Sequence, residues 1–246
     1  MKTEFLNKTV LVTGGTRGIG AAIVKQFYDL NAKVLATGTD KQLLEKLNET
    51  SGSRIKYLYL DFTSINSIKE FLLRLEKHNQ IDVLVNNAGV NKIDSIDNIS
   101  EDDWDKINNV NLRGPFQITK AVAKIMKKNQ QGRIVNISSV FGVVSKAMRA
   151  SYSTTKWGLV GFTKAVAVDL APHNILVNAV SPGFIDTELT RKILGNDGIK
   201  EVLESIPQQR LASAEEVAKL VIFLSSNQNS YITGQNIIID GGFTSV

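Results

Sequence analysis

The sequence predicts an α/β fold in which a doubly wound, parallel seven-stranded sheet carries helices on both faces, within one domain over 1–246. Short β-branched runs alternate with longer helical patterns almost from end to end, as repeated strand–helix–strand units require. Several runs are apolar on both faces, among them Val83-Leu84-Val85, which suits strands covered above and below. No linker, repeat or low-complexity tract divides the 246 residues, a length that one large core can use.

The first strand is read over 9–13. It runs straight into Thr13-Gly14-Gly15-Thr16-Arg17-Gly18-Ile19-Gly20, after which a helical pattern continues through Leu30. The second strand, over 33–37, leads to Asp40, read as the N-cap of a helix containing Leu43, Leu44 and Leu47. Further strands are read over 55–61, 83–86, 133–138, 176–180 and 236–240. Lys127 and Lys128 fall at a helix end, where cations complement the dipole. Ser213 and Glu216 stand at capping-box spacing and open a helix running to Ser226.

Composition narrows the chemistry. The chain has no cysteine, which excludes disulfides, thiolate zinc sites and a cysteine nucleophile. Its two histidines, His78 and His173, are far apart and lack ligand neighbours, so neither a metal site nor a histidine triad is expected. Residues 1–10 mix Lys2, Glu4 and Lys8 among apolar residues, unlike a signal peptide, and no run approaches the ~20 apolar residues of a spanning helix. The cytoplasm is the expected compartment and a membrane is not an expected partner. The net charge of +5 is spread over many segments without interleaved aromatics, so no nucleic-acid partner is expected.

A glycine-rich turn between a strand and a helix N-terminus cradles phosphate through backbone N–H groups and the helix dipole. Gly14 permits the tight turn, Gly18 removes a Cβ that would block a pyrophosphate, and Gly20 lets the helix pack closely on the sheet. The spacing is T-G-x-x-x-G-x-G, joined downstream by Asn86-Asn87-Ala88-Gly89 at the end of the fourth strand and by Tyr152-Ser153-Thr154-Thr155-Lys156. With these motifs the chain resembles the single-domain short-chain dehydrogenases/reductases over nearly its whole length, most closely the 3-oxoacyl-acyl-carrier-protein reductases.

The resemblance implies a Rossmann-type fold, an NAD(P)-dependent hydride transfer between nicotinamide and a carbonyl or alcohol carbon, and a set of cofactor contacts. Gly14, Thr16, Arg17, Gly18, Ile19 and Gly20 would meet the phosphates. Asn87, Ala88 and Gly89 would line the cofactor cleft, and Asp61, with Phe62 after it, would hold the adenine ring. Pro182, Gly183, Ile185 and Thr187 match the segment at the nicotinamide carboxamide, and Asp240-Gly241-Gly242 matches a frequent C-terminal signature. Gly38 stands where relatives that use NAD often place a ribose-binding acid, Thr39 offers a hydroxyl, and Arg17 is the residue that relatives using NADP aim at the 2′-phosphate. NADP(H) is therefore the expected cofactor, with Asp40 the argument for NAD(H).

Tyr152 and Lys156, four apart on a helix, share a face. A phenol with a pKa near ~10 is a poor base at neutral pH, and the Lys156 ammonium with the oxidised nicotinamide is expected to lower it. Ser139, rather than Ser138, keeps the family spacing to Tyr152 and would hold the reacting oxygen beside the phenol. Asn111 would hold a water linking Lys156 to solvent. Lys156 would also hydrogen-bond the nicotinamide ribose, placing it and Tyr152 among the cofactor contacts.

Substrate fit is assigned to 140–151 and to a helical lid over 188–210 with a flexible middle at Gly195-Asn196-Asp197-Gly198. Lys146 and Arg149, near the tyrosine, could meet an anionic substrate, but they are read first as solvated loop charges. Two places where carrier-protein reductases commonly carry arginine fall on Gln130 and His173, which weakens the carrier-linked reading against keto sugars, small ketones, quinones or steroid-like alcohols. A non-catalytic NADP-binding regulator is the rival class. The run from Trp157 to Val168 is too apolar for one buried stripe, and it predicts helix pairing through Gly158 and Gly161. A further contact through the final strand and tail completes a homotetramer.

Overall fold

The computed structural model describes residues 4–246; Lys2 of the N-terminal stretch lies outside the described residues. Seven parallel strands form one sheet in the order β3-β2-β1-β4-β5-β6-β7. They are β1 (Thr9–Val12), β2 (Lys33–Gly38), β3 (Ile55–Tyr59), β4 (Val83–Asn86), β5 (Gly132–Ile137), β6 (Ile175–Pro182) and β7 (Asn236–Ile239). The helices are α1 (Gly18–Asp29), α2 (Lys41–Thr50), α3 (Ile65–Leu75), α4 (Glu101–Asn108), α5 (Gly114–Asn129), α6 (Ala150–Leu170), α7 (Glu188–Glu204) and α8 (Ala214–Ser225).

Alternation along each strand divides the core between two faces. Val10 and Val12 point to one side, with Ile23 and Phe27 of α1 and Val217 and Val221 of α8. Leu11 points to the other, with Phe71 of α3 and Ile118, Val122 and Met126 of α5. Each fully buried Leu, Val or Phe contributes about 1.5–3 kcal/mol, so the sheet is held from both sides. Asp40 caps α2 by accepting from Leu43 N at 3.1 Å, and Ser213 and Glu216 form the capping box of α8.

Strand ends differ from the sequence reading for local reasons. β3 stops at Tyr59 because Asp61 N turns away to Ser67 Oγ at 2.9 Å. β6 extends to Pro182 because β5 and β7 pair with successive parts of it. Asn111 sits in a π-helical turn over Asn109–Arg113 that joins α4 to α5.

The order of strands reverses between β1 and β4, and open α/β sheets bind ligands in the crevice beyond the strand ends at such a point. A buried chain of amides fixes that region: Asn86 Nδ2 donates to Thr119 Oγ1 (3.0 Å) and Asn136 Oδ1 (2.8 Å), and Asn136 Nδ2 donates to Thr163 Oγ1 (2.9 Å). These bonds tie β4, β5 and α6 to one another, so the side chains leaving those elements share one frame.

Candidate active site

A cleft of about 230 Å³ opens at the C-terminal ends of β4, β5 and β6. On its first wall the chain leaves β1 through Gly14, whose φ of +65° and whose approach to Ala88 (a Cβ would lie 2.9 Å from Ala88 Cα) both require glycine. A Cβ on Gly20 would collide with the Gly14 carbonyl oxygen. Gly20 thus protects the turn itself, whereas packing of the helix on the sheet was expected. Gly18, at φ +53°, would aim a Cβ at Thr187 Cγ2 3.5 Å away. Arg17, the N-cap of α1, makes no side-chain cap, so the first N–H groups of that helix stay available to an anion.

Thr13 and Asn87 clamp this turn to β4. Thr13 Oγ1 accepts from Asn87 N (3.0 Å) and Ala88 N (3.1 Å), while Asn87 Nδ2 donates to the carbonyls of Thr13 (3.0 Å) and Gly14 (2.9 Å). Sequence reasoning gave Thr13 no role. Its signal was its place directly before Gly14.

At the end of β2, a side chain on Gly38 would start 2.6 Å from Thr16 Cγ2, so the position admits no acid without displacing Thr16. Thr39, Asp40 and Arg17 are exposed around it, and Lys41 lies 4.8 Å from the Tyr59 ring centroid. Asp40 spends Oδ1 on its cap. Asp61 Oδ1 accepts from Thr63 N (2.8 Å) and Thr63 Oγ1 (2.7 Å), which leaves Oδ2 for a ligand. Phe62 is buried against Gly114, so it can offer a ligand only its backbone.

The opposite wall gathers Ser139, Tyr152 and Lys156 around the same cleft. Ser138 Oγ turns inward and donates to Lys156 O at 3.0 Å, whereas Ser139 Oγ accepts from Phe141 N at 3.2 Å and lines the cleft with the Tyr152 phenol. Lys156 Nζ donates to Ile137 O at 2.8 Å and stands 5.5 Å from the Tyr152 ring centroid. Burial pushes the Lys156 ammonium down to about 8. Burial pushes Tyr152 up, opposed by the Ser139 hydrogen bond and the Arg149 charge.

The Asn111 side chain is spent on protein. Its Oδ1 accepts from Val90 N (2.8 Å), and its Nδ2 donates to Val90 O (2.9 Å) and Thr155 Oγ1 (3.2 Å). Gly89 separates it from Lys156, since a Cβ there would meet Lys156 Nζ at 3.5 Å and Asn111 Oδ1 at 3.6 Å. Ile19, Pro182, Gly183, Ile185 and Thr187 complete the cleft on the side of β6. Ile185 pairs with Ala212, and Thr187 caps α7 by accepting from Thr190 N at 3.2 Å. Asp240 fixes the last turn by accepting from Gly242 N and from Thr244 N and Oγ1. Arg149, read as a solvated charge, lines the cleft instead.

The family model described as enoyl-(acyl carrier protein) reductase matches residues 14–244. The 3-oxoacyl-[acyl-carrier-protein] reductase FabG of Aquifex aeolicus is 42% identical, covering 98% of this chain and 99% of that protein. The reductase of the same name from Salmonella typhimurium is 38% identical over 97% of this chain and 98% of its own length. Among solved structures, ElxO with NADP bound superposes with a TM-score of 0.90 at 33% identity, covering 98% of this chain and all of that one. By these full-length matches, and by the glycine turn and the Tyr152–Lys156 pair that its fold brings to one cleft, the chain belongs to the short-chain dehydrogenase/reductase family.

Proposed function

We propose that this cleft carries out NADP(H)-dependent interconversion of a ketone and a secondary alcohol, with Tyr152 as the general acid and base. The observation that carries the reading is the convergence of the Ser139 and Tyr152 hydroxyls and Lys156 on one cleft. Two adjacent O–H donors bracket one oxygen atom, which is what a carbonyl presents and an isolated C=C bond does not. When bound, NADP(H) supplies or accepts the hydride.

The chain's own residues do the rest. Ser139 orients and polarises the carbonyl oxygen, and Tyr152, held protonated by burial, gives that oxygen its proton. Lys156 holds the ribose and favours the phenolate left behind. Asn111 fixes the Val90 backbone beside Gly89 and so positions the Lys156 side of the cleft; with its amide spent there, a relay water would need another partner. Gly14, Gly18 and Gly20 leave room for the pyrophosphate, Asp61 Oδ2 and the Phe62 backbone take the adenine, and Ile19, Thr187 and Ile185 flank the nicotinamide.

NADPH over NADH follows from Gly38, Thr39 and the free Arg17 guanidinium around the ribose site. Arg17→Ala is expected to narrow the NADPH preference about 10- to 100-fold, the scale of a charge-assisted hydrogen bond. Calorimetry with both cofactors checks it. Equal affinities in the unmutated protein would shift the ribose assignment to Asp40.

The relatives' names make a 3-oxoacyl thioester on a carrier protein the first candidate substrate. Gln130 and His173, where an acidic carrier would want cations, instead bond each other at 3.1 Å between Nε2 and Nδ1. Rates of NADPH consumption over carrier-linked 3-oxoacyl and enoyl thioesters, keto sugars, small ketones and quinones test the reading. Turnover confined to enoyl thioesters would reject it.

The segment over 188–210 acts as a lid within the single domain 1–246. α7 breaks at Gly195 (φ 62°, ψ −174°), and its Leu189, Ile193 and Leu194 face the cleft. Among the described residues no helix is long and apolar enough to cross a membrane.

Four subunits are supported by apolar surface in two places. Trp157, Phe116 and Val168 are exposed on or beside α6, and Ile238, Tyr231 and Val246 near β7 and the tail. Gly161 has open space at its Cβ, whereas Gly158 packs on Leu112 of its own chain, so only Gly161 is left to admit a partner helix. Light scattering is expected to give four times the 27.0 kDa chain mass. A stable dimer would remove the tail contact, and a monomer both.

A further inference from the structure

The loop before α6 brings a second cation into the cleft. The Arg149 guanidinium stands 5.6 Å from the Phe141 ring centroid, and Phe141 meets Tyr152 edge-on at 6.4 Å. Arg149 Nε and Nη1 are shielded from solvent, and no acceptor among the described residues bonds them. Arg54 and Arg133 also leave Nε unpartnered but place their Nη atoms on protein acceptors, and Arg191 and Arg210 pair with carboxylates, whereas no hydrogen bond to an acceptor among the described residues is seen for the Arg149 guanidinium. Lys146, three residues earlier, is exposed and ion-paired to Glu201 at 3.6 Å, so the two loop cations do different things.

Three features point to a ligand for this guanidinium. A buried donor without an acceptor is costly, and Arg149 carries two on a charged group whose burial lowers its pKa. Among the described residues no aspartate or glutamate lines the cleft, so an incoming anion meets no like charge there. Asn91 Oδ1, on the same lining, is also shielded and unpartnered, an acceptor awaiting a hydroxyl or N–H. Around them Phe141, Phe184, Leu189 and Ile193 provide an apolar wall that strengthens a charge pair.

We propose that Arg149 is the specificity-determining residue of this site, and that it selects a ketone or secondary alcohol bearing a carboxylate close to the reacting carbon, an oxo acid or hydroxy acid. The planar fork of the guanidinium matches a carboxylate through two parallel hydrogen bonds. A carrier-linked 3-oxoacyl thioester places its nearest anion at the far end of the pantetheine arm, away from a group beside Tyr152. The inference rests on the assignment of Ser139 and Tyr152 to the reacting oxygen.

The test pairs 2-oxobutyrate, acetoacetate and levulinate with their methyl esters, which keep the carbon skeleton and remove the charge. Binding to the NADPH complex of the Tyr152→Phe protein is measured by calorimetry, and NADPH consumption by the unmutated enzyme is measured in parallel. At least one acid is expected to bind about 10- to 100-fold more tightly than its ester. Arg149→Met is expected to erase that ratio, leaving ester binding unchanged, and Arg149→Lys to restore part of it. Equal binding of acid and ester in every pair would overturn the proposal. So would an Arg149→Met protein whose kcat shifts with pH while the acid-to-ester ratio holds, since Arg149 would then only tune Tyr152. Acids that bind selectively but are never reduced would instead overturn the catalytic assignment and leave the carboxylate site standing.

Discussion

Tyr152→Phe is expected to leave the fold and NADPH affinity intact while lowering turnover by about 10²- to 10⁴-fold, the range of a lost general acid. The substitution removes one hydroxyl and keeps the ring that packs edge-on against Phe141 at 6.4 Å. Burial keeps the phenol protonated at neutral pH, the state that carbonyl reduction needs. Alcohol oxidation needs the phenolate, so its rate should rise with pH. Steady-state rates beside calorimetric NADPH affinity decide the matter, and undiminished turnover would take Tyr152 out of the mechanism.

The second large effect belongs to Lys156. Lys156→Ala should lose turnover and also weaken NADPH binding if its ammonium, anchored at 2.8 Å to Ile137 O on the cleft lining, holds the ribose as proposed. Burial places its titration at about 8. It is charged below that pH and neutral above it. For reduction by the free enzyme, kcat/KM is therefore expected to hold level below about 8 and to fall as pH rises through it. Lys156→Arg should move that limb upward out of range. A Lys156→Ala protein that binds NADPH as tightly as before would reject the cofactor role, and a profile without the limb would reject the charged state as the active one.

The seven strands were legible because each is a short apolar run bounded by turn residues, and both faces of Val10-Leu11-Val12 are indeed covered. Caps were equally local, and Asp40 and Ser213 occupy the positions their spacing implied. The π-turn at Asn111 was not legible, since one extra residue in a helical turn leaves no mark on apolar periodicity. Gly158 could not be assigned to its own chain because its neighbour, Leu112, is 46 residues away, and proximity of that kind is set by the sheet. At the site, motif spacing located Tyr152, Lys156, Ser139 and the glycine turn, but it could not say which way a side chain faces. Asn111 spends its amide on Val90, Phe62 turns inward, and Arg149 turns toward the cleft where a loop arginine ordinarily meets water. These differences come from the three-dimensional packing of elements distant in sequence.

The most direct measurement follows the hydride. NADPH carrying deuterium at the transferable C4 position is incubated with the enzyme and the panel of ketones, oxo acids and thioesters, and the products are read by mass spectrometry. One deuterium on the carbinol carbon of at least one product, lost in Tyr152→Phe, is the predicted result. Transfer to none of the carbonyl compounds, or transfer that survives in Tyr152→Phe at full rate, would contradict the account.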